Sequence, residues 1–471
     1  MTMIFISGCL CLLLISLLFI NFFYKFWWTP ICIQCKMRSQ GIKGPSYKFI
    51  HGNTKEIIEI RNKMIPISNG LITSHFSYGM NFLYWYGPQP QLVVTQPELI
   101  KEILKNDKEG AFPKTKGLAT SQGEEWFKKR MLANHAFHAE SLKSMIPTII
   151  ASVNIMLERW RQYEGTKIDV FNEFNVLTSD IISRTAFGSN YLEGAKIFRM
   201  LTRMISIFSK NEFKIITPGL GESDELQRGV RASIMKILKK REENVKTEEL
   251  DSYGSDFLGK LLKAYHSKDE TKKISLDDMI DECKTFYIAG HETTTNLLSW
   301  TILLLATHTD WQDRGRKEVL ELSCQQIPSP DSISRLKTMS MIINESLRLY
   351  SPTALSRKTN KEVKLGKLLV PANIEILIPI LAVHHDPEIW GEDAHLFKPE
   401  RYAEGVAKAT NNNMSAYLPF GLGPRTCVAV SLILQRYKFT LSPTYVHSPV
   451  RALTTCPQYG VQVILEAVSE P

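Results

Sequence analysis

The sequence lacks the short patterns that define several common classes of enzyme and metal-binding protein. No G-x-S-x-G turn of an α/β-hydrolase occurs. A zinc-protease helix would need a second histidine four residues after His291, but position 295 is a threonine. Cys32-x-x-Cys35 has no second cysteine pair after it, so chance, or lipidation beside a membrane, explains it better than a zinc site.

Charge and cysteine are both dispersed along the 471 residues. The 57 basic and 48 acidic residues give a net charge of +9, and the densest basic run, Lys236–Arg241, continues into Glu242 and Glu243 as on a solvated helix face. We therefore expect no nucleic-acid partner, although a basic surface favours anionic lipid or an acidic redox protein. The eight scattered cysteines form no disulfide framework and suit a reducing compartment.

No charged residue occurs between Met1 and Lys25, and Ile4–Phe23 is almost wholly apolar. At about 1.5 Å per residue, a helix of this length spans a hydrocarbon core of about 30 Å. A cleaved signal peptide is the alternative, but the run exceeds the usual ~7–15 apolar residues and lacks a basic start. Because basic residues follow on the C-terminal side, we predict a transmembrane anchor, residues 1–29, with residues 30–471 in the cytoplasm.

Turn-forming residues divide the chain into further elements. Gly41–Pro45 predicts a hinge that lets the globular part tilt on the membrane. Successive helices are expected from about Leu142 to Tyr265. Strands are predicted over 82–86 and 91–95, joined at Gly87-Pro88, and a helix is predicted over 97–105. Residues 363–369 and 374–378 are predicted to form a second hairpin.

The stretch from Ser275 to about Thr307 has the strongest helical pattern. Ser275 and Asp278 predict a capping box at its start, and its apolar second part predicts a buried core helix. Within this helix, the Thr293 hydroxyl can donate to the carbonyl of Ala289, four residues earlier, which distorts the helix and makes a groove.

The groove lies within Ala289-Gly290-His291-Glu292-Thr293-Thr294. Gly290 is expected to open space over a flat cofactor, while Thr293 and Glu292 supply polar groups for delivering protons to dioxygen. The alternative is a helix-packing glycine followed by ordinary polar residues.

A glycine- and proline-shaped loop, Pro419–Cys427, ends in a cysteine just before an apolar run that can be helical. Free N–H groups and the positive end of a helix dipole would stabilise a thiolate there, which makes Cys427 a candidate metal ligand. Glycines allow such a loop to pass closely under a flat cofactor, and Arg425 adds a cation. The alternative is a buried, inert cysteine.

Two residue pairs have helical spacing. Trp126 and Arg130 share a helix face and could hold one anionic group, although a packed tryptophan on an amphipathic helix gives the same pattern. Glu345 and Arg348 are three residues apart, where a surface pair worth about 0.5 kcal/mol is the alternative.

Together these motifs resemble the cytochrome P450 family, in the pattern Phe420-x-x-Gly423-x-Arg425-x-Cys427 and in Ala289–Thr294. The resemblance implies a mainly α fold with a smaller β portion, preceded by one transmembrane helix. It implies haem b with Cys427 as the axial ligand, Phe420 beside the cofactor, and Thr293 and Glu292 in oxygen and proton handling. It further implies that Trp126, Arg130, Arg357 and Arg425 hold the haem propionates and that Glu345, Arg348 and Arg401 form a buried supporting cluster.

The resemblance also implies partners and a location. It is greatest to a plant clan of membrane-bound monooxygenases that act on hydrophobic hormones, terpenoids or fatty acids. Electrons would come from NADPH through a cytochrome P450 reductase, and the protein would lie in the endoplasmic reticulum membrane with its catalytic part in the cytoplasm. The partners implied are therefore the reductase, a hydrophobic small molecule and membrane lipid.

The sequence departs from the family after Cys427. Position 429 is an alanine where glycine is usual, and Tyr437–Pro443, which resembles the terminal strand region, begins after about a dozen fewer residues, or roughly three helical turns. The segment between Asn69 and Asn81 is also short. We expect these gaps to weaken the haem fit more than the ligand chemistry. A non-catalytic, truncated relative is thus the rival interpretation.

Overall fold

The computed structural model of the chain is mainly helical with a smaller sheet portion, which confirms the predicted fold class. An apolar helix lies at the N-terminus, also as predicted. The residues that the structure describes are 2–56, 78–105, 123–136, 138–189, 191–211, 220–247, 252–323, 332–333, 335–352, 355–419, 424–451 and 454–468.

The helices account for most of the described chain. In chain order they are α1 (Thr2–Phe23), α2 (Thr29–Arg38), α3 (Pro97–Lys105), α4 (Gly123–Ala136), α5 (Ala139–Ser144), α6 (Ile146–Trp160), α7 (Val170–Phe187), α8 (Tyr191–Asn211), α9 (Leu220–Lys246), α10 (Phe257–Tyr265), α11 (Leu276–Thr307), α12 (Thr309–Ser323), α13 (Lys337–Leu349), α14 (Ile380–His384), α15 (Pro387–Trp390), α16 (Val406–Ala409) and α17 (Pro424–Arg436). Short 3₁₀ turns cover Arg161–Tyr163, Pro399–Tyr402 and Met414–Ala416.

The strands form small sheets. They are β1 (Asn81–Tyr86), β2 (Gln89–Val94), β3 (Lys167–Asp169), β4 (Leu355–Lys358), β5 (Val363–Leu365), β6 (Leu368–Val370), β7 (Glu375–Ile378), β8 (Tyr437–Leu441), β9 (Pro449–Arg451), β10 (Thr455–Pro457) and β11 (Gln462–Ala467). One sheet has the order β1-β2-β7-β4 and another the order β3-β11-β8, while β5 with β6 and β9 with β10 form two-stranded hairpins.

The chain divides into two compact units. One comprises Met1–Thr115 and Ala354–Val383, and the other comprises Lys116–Thr353 and His384–Pro471. The first unit contains the four-stranded sheet and the β5/β6 hairpin. The second contains the three-stranded sheet, the β9/β10 hairpin and most of the helices.

The first predicted hairpin is confirmed, and the second is wrong. Strands β1 and β2 pair antiparallel, with Asn81 opposite Val94. The run 363–369, predicted as a single strand, instead contains the turn between β5 and β6, because the chain reverses near Gly366, whose φ is +58°. Strand β7 instead pairs parallel with β2 and antiparallel with β4.

The N-terminal helix continues past its apolar part. Helix α1 passes through a π-helical turn, Tyr24–Trp28, directly into α2. The helical run is long and apolar enough to cross a membrane, and its apolar side chains are exposed.

The predicted hinge at Gly41–Pro45 is wrong, because this segment lies along the edge of β1. The amide of Leu83 donates to the carbonyl of Lys43 over 2.9 Å. A side chain at Gly44 would place its Cβ only 1.9 Å from the carbonyl oxygen of Leu83. The glycine therefore permits a close backbone approach and does not provide a flexible joint.

Helix α11 occupies the core of the second unit. The predicted capping box is confirmed, since Ser275 Oγ accepts from the amide of Asp278 and the Asp278 side chain accepts from the Ser275 amide. Every residue from Thr295 to Ala306 is buried, as expected for a core helix. Because this buried part belongs to the same helix, its packing fixes the position of the motif residues Ala289–Thr294.

The basic run on α9 is mostly a solvated face, as predicted. Lys236, Lys239 and Lys240 are exposed. Arg241 differs, because its guanidinium pairs with Asp256 at 3.0 Å and donates to the carbonyl of Phe187 at 3.1 Å. The Arg241 side chain therefore links α9 to the end of α7 and to the start of α10.

Candidate functional site

Cys427 is the fourth residue of α17, so its backbone lies at the positive end of a helix. Free amide groups and the helix dipole at this end favour a thiolate over a thiol. The side chains of Cys427 and Arg425 lie outside the described part of the structure, and Phe420 lies outside the described residues altogether. Their roles beside a cofactor remain predictions.

Helix α17, which the sequence predicts to be shorter than in the family, is well packed. Val428, Ala429, Ile433 and Leu434 are all buried. The predicted terminal strand is confirmed, since β8 begins at Tyr437, directly after the helix.

An arginine of α12 closes the C-terminal end of α17. The Arg316 guanidinium donates to the carbonyl of Leu434 at 2.9 Å and to the carbonyl of Tyr437 at 2.7 Å. The last carbonyl groups of a helix have no partner within it. A cation at this end also interacts favourably with the negative end of the helix dipole. Sequence inspection missed Arg316, because its acceptors lie more than a hundred residues away.

The hydrogen bond predicted for Thr293 is present. Its hydroxyl donates to the carbonyl of Ala289 over 2.7 Å. The hydroxyl hydrogen of Thr293 is thus used in the bond to the helix backbone. The lone pairs of Oγ1 stay available to accept a hydrogen bond.

Gly290 does not open space, which corrects the prediction made for it. A Cβ at this position would lie 2.6 Å from Cδ1 of Ile182, on α7. The glycine is therefore explained by close packing of α11 against α7, as in the alternative interpretation.

Glu292 is half-buried, and one of its two carboxylate oxygens is held by hydrogen bonds. Its Oε1 accepts from the amide of Thr454 at 3.2 Å and from the Thr454 hydroxyl at 2.6 Å. Its Oε2 is buried and has no hydrogen-bond partner among the described residues. Burial raises the pKa of the Glu292 carboxyl, and the bonds from Thr454 act in the opposite direction.

Two more residues of α11 contact the same segment near the C-terminus. Asn296 Nδ2 donates to the Thr454 hydroxyl at 2.6 Å, and the Trp300 indole donates to the carbonyl of Thr455 at 3.0 Å. Positions 292, 296 and 300 share one helix face, because they are four residues apart. Thr454 is thus a site residue that local sequence patterns could not reveal.

The predicted cluster of Glu345, Arg348 and Arg401 is formed. Both carboxylate oxygens of Glu345 accept from Arg348 at 2.7 Å, and neither side chain is exposed. Arg401 Nε lies 3.5 Å from Glu345 Oε1. The surface-pair alternative is therefore wrong for Glu345 and Arg348.

Both arginines of this cluster also bind backbone carbonyl groups. Arg348 donates to the carbonyls of His384, Ala394 and Leu396 at 2.8, 2.6 and 3.1 Å. Arg401 pairs with Asp393, a residue that sequence inspection missed. Hydrogen bonds from Lys398 and Arg401 lower the pKa of Asp393 to about 2.

The residues proposed for the propionates lie partly outside the described side chains and in both compact units. In the second unit, Arg130 is exposed on α4, and the side chain of Trp126 lies outside the described part. In the first unit, Arg357 lies on β4 and donates to the carbonyl of Ser356 at 2.8 Å. Their propionate contacts therefore remain predictions.

Known proteins similar to this chain include a large number of plant enzymes. The profile of the cytochrome P450 family matches residues 44–443. Cytochrome P450 CYP749A22 of Panax ginseng is 50% identical, over 98% of this chain and 96% of the relative. An 11-oxo-beta-amyrin 30-oxidase of Glycyrrhiza uralensis is 38% identical, over 93% of each chain. Cytochrome P450 734A1 of Arabidopsis thaliana is 36% identical, over 96% of this chain and 95% of the relative.

The length of the Panax ginseng alignment bears on the predicted gaps. It runs over 508 positions, 37 more than the 471 residues of this chain. At least that many positions of the alignment therefore have no residue in this chain, although the alignment covers 98% of the chain. This result agrees with internal segments being shorter here than in the relative.

Proposed function

Since the chain belongs to the cytochrome P450 family, we propose that it is a haem-thiolate monooxygenase that draws electrons from NADPH through a reductase. It inserts one oxygen atom of O2 into a hydrophobic small molecule of the terpenoid, hormone or fatty-acid type. The observation that carries the proposal is the position of Cys427 at the N-terminal end of α17, within the matched family region.

The residues present fit a haem. The porphyrin supplies four nitrogen ligands, so the protein needs to add a single axial side chain, and a helix N-terminus suits an anionic one. With a thiolate ligand, haem supplies O–O bond cleavage and the oxidation itself. Phe420 would contact the cofactor, and Trp126, Arg130, Arg357 and Arg425 would hold its propionates.

Thr293 and Glu292 would handle protons. The Thr293 hydroxyl donates to Ala289, so Oγ1 can accept a hydrogen bond from a proton donor without losing its own bond to the helix. Glu292 is half-buried and its pKa is raised by desolvation, so the carboxyl binds a proton more readily than an exposed glutamate. Its free oxygen, Oε2, is the atom suited to pass that proton on.

The substrate class and the electron donor are supported by similarity and charge. The Glycyrrhiza uralensis relative is named as an oxidase of 11-oxo-beta-amyrin. The net charge of +9 favours an acidic redox partner, since opposite charges steer two proteins toward each other.

Attachment to the endoplasmic reticulum membrane is part of the same proposal. The exposed apolar run of α1 supports a single membrane span, and basic residues after it favour a cytoplasmic catalytic part. Protease treatment of sealed microsomes that contain the full chain tests this orientation. The catalytic part should be digested without detergent, and its protection would place it in the lumen.

The proposed chemistry is tested by the carbon-monoxide difference spectrum of the reduced 471-residue chain, with Cys427→Ser as the control. We expect a red-shifted Soret band, typical of thiolate-ligated iron, that disappears in the variant. Addition of reductase and NADPH with a triterpenoid panel should then give a product heavier by one oxygen atom.

A truncated, non-catalytic relative is the second candidate, and the missing positions of the Panax ginseng alignment favour it. Absence of haem from a folded chain, or only the band of a neutral proximal ligand, would establish this candidate and overturn the monooxygenase.

A further inference from the structure

The chain segment that enters the cysteine loop, Tyr417–Pro419, is held at two consecutive residues. The Tyr417 hydroxyl lies 3.0 Å from both the carbonyl and the side-chain oxygen of Asn344, on α13. The amide of Leu418 donates to Nε2 of His384 at 3.0 Å. Leu418 is nine residues before Cys427, so these contacts fix the start of the loop.

His384 is itself fixed from both ends. Its carbonyl accepts from Arg348 Nη1 at 2.8 Å. Its ring is completely buried and stacks on Tyr417, with 5.4 Å between ring centroids, and the Trp390 ring meets it edge-on at 6.2 Å. A continuous path of contacts thus runs from the Glu345–Arg348 pair through His384 to Leu418.

The hydrogen bond from Leu418 defines the state of the imidazole. Nε2 accepts the hydrogen bond from the Leu418 amide through its lone pair, so the ring is neutral and carries its own hydrogen on Nδ1. Burial, and then the charge of Arg348, lower the pKa of His384 to about 3, although the carbonyls of Arg348 and Leu347 oppose this change. The carbonyls of Arg348 and Leu347 interact with the ring, and Nε2 makes its hydrogen bond to the Leu418 amide. The bond to Leu418 is therefore the one that links this buried ring to the segment before the cysteine loop.

We propose that His384 is a positioning residue for the thiolate ligand: by accepting from the Leu418 amide, it ties the segment before the cysteine loop to the buried Glu345–Arg348 pair. This inference rests on the proposed function, because it concerns the ligand position of Cys427. If His384 only filled space in the core, its ring would matter and its Nε2 acceptor would not. Substitutions that remove one and keep the other therefore distinguish the two roles.

Three substitutions separate the acceptor from the ring. His384→Gln keeps an acceptor at nearly the position of Nε2, whereas His384→Asn is too short to reach the Leu418 amide. His384→Phe keeps a flat ring against Tyr417 but offers no acceptor. The matched control is His385→Gln, since His385 is the next residue, is half-buried, and its Nε2 donates to the carbonyl of Leu349, away from the loop.

The first readout is the carbon-monoxide difference spectrum of the full chain. In His384→Asn and His384→Phe we expect a roughly ten-fold rise in the ratio of the neutral-ligand band to the thiolate band, about 1.4 kcal/mol. A buried N–H left without an acceptor costs this order of free energy. His384→Gln and His385→Gln should stay within about two-fold of the unmodified chain, because neither leaves the Leu418 amide unpaired.

The second readout, amide hydrogen exchange at Leu418, does not require haem. Exchange should accelerate about ten-fold in His384→Asn and return toward the original rate in His384→Gln. Equal exchange rates in the Asn and Gln variants, or a band ratio shifted equally by His385→Gln, would overturn the positioning role. If the unmodified chain binds no haem, the proposed function fails, while the exchange rates still decide whether His384 holds the segment.

Discussion

Glu292 accepts two hydrogen bonds from Thr454, although the two residues are 162 positions apart. The contact joins the motif helix α11 to the segment just before β10. It uses only one carboxylate oxygen and leaves Oε2 without a partner among the described residues. Thr454 therefore orients a carboxyl group that the proposed reaction needs for proton transfer.

Replacement of Thr454 by valine should reduce the yield of product per NADPH consumed. The variant keeps the shape of the side chain but loses the shorter bond to Glu292, worth about 1 kcal/mol or roughly a five-fold change. Thr454→Ser keeps the hydroxyl and is the matched control. Product and NADPH are measured together in the reconstituted system, and equal yields from the two variants would contradict an orienting role for Thr454.

The buried ion pair gives a prediction about stability. Arg348→Leu removes the bidentate partner of the buried Glu345 carboxylate, which keeps only the longer contact with Arg401, so the free energy of unfolding should fall by about 3–5 kcal/mol. Arg159→Leu is the control, because Arg159 pairs with Glu173 at 3.0 Å but is 39% exposed. The control should lose less than about 1 kcal/mol. Urea unfolding measures both, and similar losses would show that burial of the pair is unimportant.

Three buried or half-buried histidines predict acid sensitivity. Burial lowers the pKa of His291 and His385 to about 4 and that of His384 to about 3. The unfolded chain, with histidine pKa values near 6.5, binds more protons, so stability is full above about pH 6.5 and falls below it. Each histidine contributes about 1.4 kcal/mol per pH unit between its two pKa values.

The measurement is the unfolding free energy between pH 7 and about 5, a window above most carboxyl pKa values. His291→Gln should reduce the slope by up to about 1.4 kcal/mol per pH unit. Glu292 acts with the opposite sign, because its pKa is raised and the folded state binds its proton more readily. A slope unchanged by His291→Gln would show that this histidine titrates normally.

Local features of the site were predictable from the sequence, whereas its long-range contacts were not. The Thr293 bond to Ala289 and the Ser275 cap depend on residues three or four apart, where helical geometry leaves little choice. Thr454 and Arg316 act across more than a hundred residues. Asp393 is only eight residues from Arg401, but outside a regular helix that spacing predicts no contact. The polar side chains of all three look ordinary in their own segments. Gly290 was misjudged for the same reason, since only the fold places Ile182 beside it.

The attachment of α1 to the first unit provides a fourth prediction. The Tyr47 hydroxyl donates to the carbonyl of Phe26, in the π-helical turn, at 2.6 Å. In Tyr47→Phe, tryptic cleavage after Lys48 should be about five- to ten-fold faster, because proteolysis follows the population of the opened segment. Tyr24→Phe is the control, since Tyr24 is 59% exposed. Equal cleavage rates in the two variants would restore the flexible-hinge interpretation.

The end of α17 gives the last prediction, which concerns how the chain accommodates its shortened helix. Arg316 supplies donors to the carbonyls of Leu434 and Tyr437, where the helix passes directly into β8. In Arg316→Lys the charge remains, but one ammonium group does not reproduce the planar fork. The free energy of unfolding should fall by about 2–3 kcal/mol.

Lys317→Ala provides the matched control for Arg316→Lys, because Lys317 is the next residue of α12 and its side chain is 77% exposed. This control should change the free energy of unfolding by less than about 0.5 kcal/mol. If Arg316→Lys were equally harmless, the helix would end without help from Arg316, and the buried apolar residues of α17 alone would hold it against the core.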